Sequence, residues 1–351
     1  MSSFEFATQA KHTLVFTVIG GSIGGLTSAY WLKRAGHDVI VVEKYSEETL
    51  KDHKFSGLRS PPNLSRLLSL LPGMEKVLED KASLNLGAVF HQADTSEPIG
   101  QVIWKEEMVA DLGSKYYRIP YSDMWNHLYG LCIRENVRFK FNIEVQNITL
   151  SKSRLPTVIA VSGEQISCDI VIGADGHNSV TRNCILADVT GNDQGDEDSD
   201  RDTSSESSKF PELSEWSSCR LSIPIREMQK DPDLLPLTQN SLWYLWMGDG
   251  IFHTGGREGQ DQYAVAVFYP FSNFGKKDGE WTMQETSSMT SGEIRETGCD
   301  LKVKKLLELA SSCQRTTQTP YRLSQFTDSS NQIILIGDAA HGAVINGPQN
   351  T

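Results

Sequence analysis

The feature that most restricts this chain is the run TLVFTVIGGSIGGLTSAYWLKRAGHDVIVVEK near its amino end. Leu14 to Ile19 reads as a buried strand, and Gly20 to Gly25 as a glycine-rich turn. Leu26 to Ala35 reads as a helix with Leu26, Ala29, Tyr30 and Leu32 on one side. Gly36 ends that helix, and Val39 to Val42 is a second buried strand with Glu43 at its end. A helical crossover of this length makes the two strands parallel, which commits the chain to an α/β fold. A helix amino end reached through glycines presents unsatisfied N–H groups and a positive dipole end, so a pyrophosphate can sit there. Glu43, 23 residues after Gly20, is spaced to accept hydrogen bonds from a ribose diol. The pattern departs from G-x-G-x-x-G at one place, where Ser22 stands for the second glycine.

Two later segments share a design. In CDIVIGADGHNSVTR, Cys168 to Arg182, a strand over Ile170 to Ile172 enters the turn Ala174-Asp175-Gly176, and Asn178-Ser179 is placed to cap a following helix. In IILIGDAAHG a strand enters Gly337 and Asp338, with small residues after them. Two strand-to-turn sites with an Asp at each mouth point to one extended ligand touched at several places.

Composition narrows the function classes. At 351 residues the chain exceeds the size at which a single core stops growing, so two domains, or one domain plus a large insert, are expected. A hydrophobic content of 38% fits a globular fold, and no run approaches the roughly 18 apolar residues of a membrane span. The amino-terminal MSSFEFATQAKHTLVF lacks the pattern of a secretory signal. The six cysteines are scattered without CxxC spacing and read as reduced thiols of an intracellular, cytoplasmic protein. A formal charge of -12 argues against a nucleic-acid partner. Seven of those charges come from Asp188 to Glu206, whose eight acids and one arginine read as a disordered surface insert.

Taken together, VIGGSIGGLTSAYWLKRAGHDVIVVEK, DIVIGADGHNSVTR and IILIGDAAHG resemble the FAD-dependent aromatic hydroxylases, the group A flavoprotein monooxygenases related to para-hydroxybenzoate and salicylate hydroxylases. The resemblance covers nearly the whole chain. It implies a Rossmann-like FAD-binding domain over residues 1–186 and 318–351, an acidic insert over 187–210, and an antiparallel-sheet substrate domain over 211–317 that also takes strands from around 80–120. It places the FAD pyrophosphate at Gly20, Ser22 and Gly25 and the adenosine ribose at Glu43. It puts Asp175 and Gly176 near the pyrophosphate and NAD(P)H, Gly337 and Asp338 at the flavin-side ribitol, and the backbone of Gly57 near the flavin. The family's FAD-contacting arginine falls at Tyr121, and Arg118, three residues earlier, is either its substitute or a solvated surface charge.

Beyond residue 210, WSSCRLSIPIREMQKDPDLL and SLWYLWMGDGIFHTGGREGQDQYAVAVFYP read as antiparallel strands with turns at Gly248 to Gly250 and Gly255 to Gly259. Trp243, Tyr244, Trp246, Phe252, Phe268 and Tyr269 lie on them, and alternation can aim some at a substrate cavity. His253 is read as a hydrogen-bonded strand histidine rather than an acid–base group, and His341 as packing at a helix start.

The resemblance implies that NAD(P)H reduces FAD and that a flavin C4a-hydroperoxide, formed from O2, hydroxylates or epoxidises a small aromatic or secondary-metabolite substrate. No catalytic triad or metal site is required. The family's GDAAH segment runs on through a proline and a Gly-Gln-Gly-like turn into a helix, whereas here Ile345 and Gly347-Pro348-Gln349 follow. The chain therefore reads as shortened, with weakened FAD retention. The alternatives are another FAD oxidoreductase of the same fold and a degenerate flavin-binding protein. Substrate identity, the choice of NADH or NADPH and the oligomeric state are not legible.

Overall fold

The computed structural model describes residues 9–52, 57–151, 154–191, 216–248, 251–270, 282–285, 300–310, 312–318 and 323–341. The first half runs β1 (Val15–Ile19), α1 (Ile23–Arg34), β2 (Asp38–Val42), α2 (Glu47–Lys51), β3 (Gly57–Ser60), α3 (Pro62–Leu68), α4 (Met74–Lys81), β4 (Ser83–Leu84), β5 (Gly87–Gln92) and β6 (Pro98–Ile103). It continues through α5 (Glu106–Leu112), β7 (Tyr117–Pro120), α6 (Tyr121–Arg134), β8 (Arg138–Lys140), β9 (Val145–Ser151), β10 (Arg154–Ala160), β11 (Gln165–Ser167), β12 (Ile170–Gly173) and α7 (Val180–Gly191). The second half runs β13 (Trp216–Pro224), α8 (Ile225–Met228), α9 (Leu235–Thr238), β14 (Leu242–Gly248), β15 (Ile251–Glu258), β16 (Gln262–Pro270), β17 (Thr282–Glu285), α10 (Leu301–Leu309), β18 (Ser312–Gln318) and β19 (Ile333–Leu335).

A five-stranded sheet in the order β19-β12-β1-β2-β8 is parallel throughout. Its strands, VFTVI, DVIVV, IVIG and IIL among them, are nearly continuous apolar runs because both faces are covered. One face packs on α1, α3, α4 and α6 through Leu26, Tyr30, Met74, Trp125 and Leu128. The other packs on the sheet β11-β10-β9 and on α7 through Ile148, Val158 and Ile185.

The second large sheet has eight strands in the order β17-β18-β13-β16-β15-β14-β5-β6. Met228, Leu234, Val303 and Leu306 cover its outer face. Its inner face meets the small sheet β3-β7-β4, so the cavity between these two sheets is walled by residues from both halves of the chain.

Four expectations change. The large sheet is mixed, because β5 joins β14 in parallel while its other neighbours are antiparallel. The helix α1 starts at Ile23, inside the glycine run, with Ser22 as its N-cap. Gly255 and Gly256 lie within β15, and the turn begins at Gly259. Close packing explains those glycines: a Cβ at Gly255 would sit 2.8 Å from the Tyr263 hydroxyl, and one at Gly256 would sit 1.9 Å from Arg118 Nη1. Finally, α7 carries the chain to Gly191, into the acidic stretch that starts at Asp188; the rest of that stretch lies outside the described residues, as do Ile345 and Gly347 to Gln349.

Candidate cofactor and substrate site

The strand order places the three motif turns side by side. The turns after β19, β12 and β1 open at the same carboxyl edge of the parallel sheet, with Glu43 after β2 as the next neighbour. That edge is where open α/β sheets take ligands.

The glycine turn is held rigidly from within. Gly20 adopts φ +101, and a Cβ there would lie 2.2 Å from the Ala174 carbonyl oxygen, so the first and second motif turns touch through a glycine. Gly25 packs so closely that a Cβ would be 1.9 Å from the Gly20 oxygen. Between them, the Gly21 N–H donates to Glu43 Oε2 at 2.6 Å, and its carbonyl accepts from Trp125 Nε1 at 2.7 Å. Glu43 Oε1 accepts from the Tyr45 amide at 2.9 Å. The buried Glu43 thus braces the turn, and its carboxylate still has acceptor capacity for a hydroxyl group. Ser22 Oγ lies 2.9 Å from the Tyr121 hydroxyl, which joins two positions that depart from the family pattern.

In the second turn, Asp175 is consumed by its own loop. Oδ1 accepts from Ser179 Oγ at 2.6 Å, and Oδ2 accepts from the Thr181 amide and hydroxyl, each at 3.0 Å. Ser179 caps α7 by accepting from the Arg182 amide at 2.8 Å, as its sequence position suggests. Arg182 ties this turn to the third, donating to the His177 carbonyl and, at 3.3 Å, to the Ala339 carbonyl. Gly176 (φ +78) and Gly337 (φ +59) are left-handed, with open space where a Cβ would be. Two side-chain-free positions beside a helix amino end form a cradle that suits a dinucleotide backbone. Asp338 opens to solvent at the cleft mouth, yet enough protein surrounds its carboxyl that desolvation raises its pKa, opposed by His177, Arg220 and His341. His341 is exposed and packs its ring against Phe326, with centroids 5.1 Å apart.

On the inner face of the mixed sheet, with Arg220 in electrostatic reach of Asp338 of the third turn, is a cavity of about 60 Å³ that sequence reading did not assemble. Three arginines reach it: Arg59 from β3, Arg118 from β7 and Arg220 from β13. One carboxylate, Glu258 at the end of β15, faces them. Gly57 and Gly256 make this possible. A Cβ on Gly57 would overlap the Glu258 carboxylate at 1.6 Å, just as one on Gly256 would overlap Arg118. Burial pushes Glu258 up to about 7, although Arg118, Arg220 and Arg59 all pull it down. Desolvation lowers all three arginines, Arg59 to about 10, but each stays protonated near neutral pH. Arg118 is only 8% exposed, and its Nε and Nη1 have no hydrogen-bond partner among the described residues. The surface-charge alternative for Arg118 therefore fails, because β7 is a buried strand. Arg59 lies over the Trp243 ring at 4.9 Å. The cavity carries excess positive charge even with Glu258 ionised.

Alternation sorts the aromatics. Trp243, Phe252 and Phe268 line the cavity, with Phe252 and Phe268 5.5 Å apart across strands. Tyr244 and Trp246 face the outer core, and the Tyr269 side chain lies outside the described residues. His253 also points away from the cavity, but the hydrogen bonds expected of it are missing. It is 1% exposed, both ring nitrogens lack a partner among the described residues, and desolvation drops its pKa to about 4. A second cavity of about 320 Å³ lies between α1, β3, α3 and Ile336, with Ile23, Leu58, Leu64 and Met124 in its walls. Among the described residues, no three His, Cys, Asp or Glu are grouped to hold a metal, and no helix is long and apolar enough to cross a membrane.

Sequence signals existed for the missed residues. Arg220 interrupts the apolar alternation of WSSCRLSIP, and Arg59 opens the RSPPN segment. Glu258 looked like part of a polar turn, and only the pairing of β15 with β16 shows that it ends a strand.

The family model described as FAD binding domain matches residues 12–347. The FAD-dependent monooxygenase ntnJ of a Nectria species is 24% identical over 349 residues, which cover 97% of this chain and 73% of that protein. The 3-amino-4-hydroxybenzoate 2-monooxygenase PtmB3 of Streptomyces platensis is 30% identical over 173 residues, covering 49% of this chain and 41% of its own length. The crystal structure of Klebsiella pneumoniae HpxO with FAD and uric acid superposes with a TM-score of 0.68 at 18% identity, over 99% of this chain and 77% of that one.

Proposed function

Since the chain belongs to the FAD-binding-domain family of flavoprotein monooxygenases, we propose that it consumes NAD(P)H and O2 to hydroxylate or epoxidise a small aromatic substrate bearing an acidic group. The observation that carries this reading is that the three motif turns share one sheet edge and that Asp338 of the third lies within electrostatic reach of Arg220, one of three arginines that meet a single carboxylate in an aromatic-lined cavity. The ntnJ and PtmB3 relatives, a monooxygenase and a hydroxybenzoate monooxygenase by name, support the same class.

Bound FAD supplies the redox chemistry, taking reducing equivalents from NAD(P)H and activating O2. The protein's part is binding, orientation and water exclusion. The amides at the start of α1 and the turn at Gly20 to Gly25 receive the pyrophosphate, Glu43 receives the adenosine ribose, and Gly176, Gly337 and Asp338 flank the remainder. Arg118 offers two unanswered donors to a carboxylate or phenolate oxygen. Trp243, Phe252 and Phe268 border the space that admits the acidic group of the substrate, since about 60 Å³ is less than a whole aromatic ring needs. Glu258, with its pKa near neutrality, holds or releases a proton at its carboxyl as an acidic substrate enters. In this reading residues 1–186 and 318–351 hold the cofactor and 211–317 cover the substrate, with β5 and β6 completing the cover.

The test supplies the protein with FAD and either NADH or NADPH and screens phenols with and without a carboxylate. Stimulated nucleotide oxidation, with a product heavier by one oxygen atom and a preference for the acidic phenols, is expected. Oxidation that no phenol stimulates contradicts the proposal.

A further inference from the structure

We propose that Tyr121 is a positioning residue that holds Ser22 away from the amino end of α1 and so keeps that end open for a phosphate group; this rests on the FAD reading above. Ser22 is the N-cap of the twelve-residue α1, with φ -84 and ψ -169. That extended backbone lets an N-cap serine accept from the amide two or three residues ahead, here Gly24 or Gly25. A serine that closes in this way occupies a donor that a bound anion would otherwise use. The glycine usual at this place in a dinucleotide turn has no side chain to close. A serine needs a second device.

The structure contains that device and an internal control. Ser22 makes no cap bond, and its Oγ lies 2.9 Å from the Tyr121 hydroxyl instead. Ser46, the N-cap of α2 with φ -74 and ψ 159, does close, accepting from the Thr49 amide at 3.2 Å. Asp300 likewise closes onto α10 through the Lys302 amide. With Ser22 diverted, the first turn of α1 has no side-chain cap. The first intrahelical bond runs from the Leu26 amide to the Ser22 carbonyl at 2.8 Å, so the amides of Ile23, Gly24 and Gly25 stand ahead of it. The first turn carries no acidic side chain to compete with an anion.

Tyr121 is well placed to do this. It opens α6 directly after Pro120, and α6 is fixed against the same region by the bonds from Trp125 Nε1 to the Gly21 carbonyl and from Cys132 Sγ to the Leu26 carbonyl. Burial pushes the phenol up to about 12, so it is a neutral O–H near neutral pH, and either hydroxyl of the pair can donate. The two departures from the family pattern, Ser22 and Tyr121, therefore act as one pair.

The test compares wild type, Tyr121→Phe, Ser22→Gly and the double variant by FAD titration and by backbone amide exchange of the FAD-stripped proteins. Tyr121→Phe frees Ser22 to close on the helix and is expected to weaken FAD binding about tenfold. Adding Ser22→Gly removes the closing hydroxyl and is expected to restore affinity to within about threefold of wild type. A direct contact from Tyr121 to the cofactor, or damage to the fold, would not be rescued in this way. Slower exchange at the Gly24 or Gly25 amide in Tyr121→Phe, reversed in the double variant, is the matching expectation without ligand. Unchanged affinity in Tyr121→Phe, or a loss that persists in the double variant, overturns the proposal. If wild type takes up no FAD, the functional reading fails on its own, and unchanged amide exchange in Tyr121→Phe overturns this inference separately.

Discussion

The carboxyl edge of the parallel sheet and the inner face of the mixed sheet treat polar groups in opposite ways. At the edge, Glu43 is engaged by the amides of Gly21 and Tyr45, and Asp175 and Ser179 by donors a few residues further along the chain. On the inner face, Arg118 has two nitrogens without a partner among the described residues, and burial raises Glu258 toward neutrality. A satisfied network rigidifies its surroundings, while buried groups left short of partners cost stability and await a ligand. The first region is a preformed scaffold. The second has its electrostatics completed by what it binds, which is why the functional proposal takes the cofactor from the first and the substrate's charge from the second.

The largest effect that can break this contrast is steric. Gly20→Ala sets a Cβ 2.2 Å from the Ala174 oxygen at a left-handed φ, with backbone on both sides of the clash. A loss of about 4 kcal/mol in denaturant unfolding, or failure to fold, is expected. A nearly neutral result would mean that the turns are not rigidly joined.

Two buried groups give opposing pH slopes of intermediate size. The folded pKa of Glu258 is raised from 4.5 to about 7, so the folded protein binds the extra proton between those values. Its contribution to stability is complete below about pH 4.5 and is lost as pH rises to about 7. His253 is depressed from 6.5 to about 4, so its contribution is present above about pH 6.5 and is lost as pH falls to about 4. Each spans up to about 3 kcal/mol, and between about pH 4.5 and 6.5 the two oppose each other. Unfolding free energies measured across that window should rise with pH in Glu258→Gln and fall with pH in His253→Phe. At neutral pH, His253→Phe should also gain about 2 kcal/mol by removing two unanswered ring nitrogens. Parallel curves for both variants and wild type would show that Glu258 on the inner face and His253 on the outer face are both better solvated than their burial implies.

The smallest effect sharpens the scaffold side. Ser179→Ala removes the cap of α7 and one partner of Asp175, and should cost about 1 kcal/mol in thermal or denaturant unfolding. A cost several times larger would mean that the second turn is held by that one hydroxyl.

How much was legible follows the same division. The βαβ unit, the ADG turn and the GD turn are contiguous in sequence, and each carries its periodicity and its turn residues within a short window. The chain could therefore be read for Gly20, Gly25, Glu43, Ser179 and the parallel sheet. What misled was local as well: the glycines of SIGG suggested a longer turn, whereas Gly25 is tolerated in the helix because it packs against the Gly20 oxygen. The cavity had no such window. Arg59, Arg118, Arg220 and Glu258 come from four strands, and their meeting depends on the fit of Gly57 and Gly256 against charged groups far away in sequence. Gly57 reads as a place where a ligand approaches backbone, and a Cβ there would overlap the protein's own Glu258 carboxylate. His253 was placed correctly in a strand, but whether its nitrogens find partners is a tertiary fact.

A flavin at the carboxyl edge of the parallel sheet is what both proposals require. The direct measurement is an equilibrium titration of FAD with the purified, flavin-stripped chain, followed by flavin fluorescence and the visible absorption bands. Saturable binding of one FAD per chain, with spectral changes that mark a flavin leaving bulk water, is the predicted result. Flavin fluorescence and absorbance that stay unchanged while a folded protein is added in excess would contradict it.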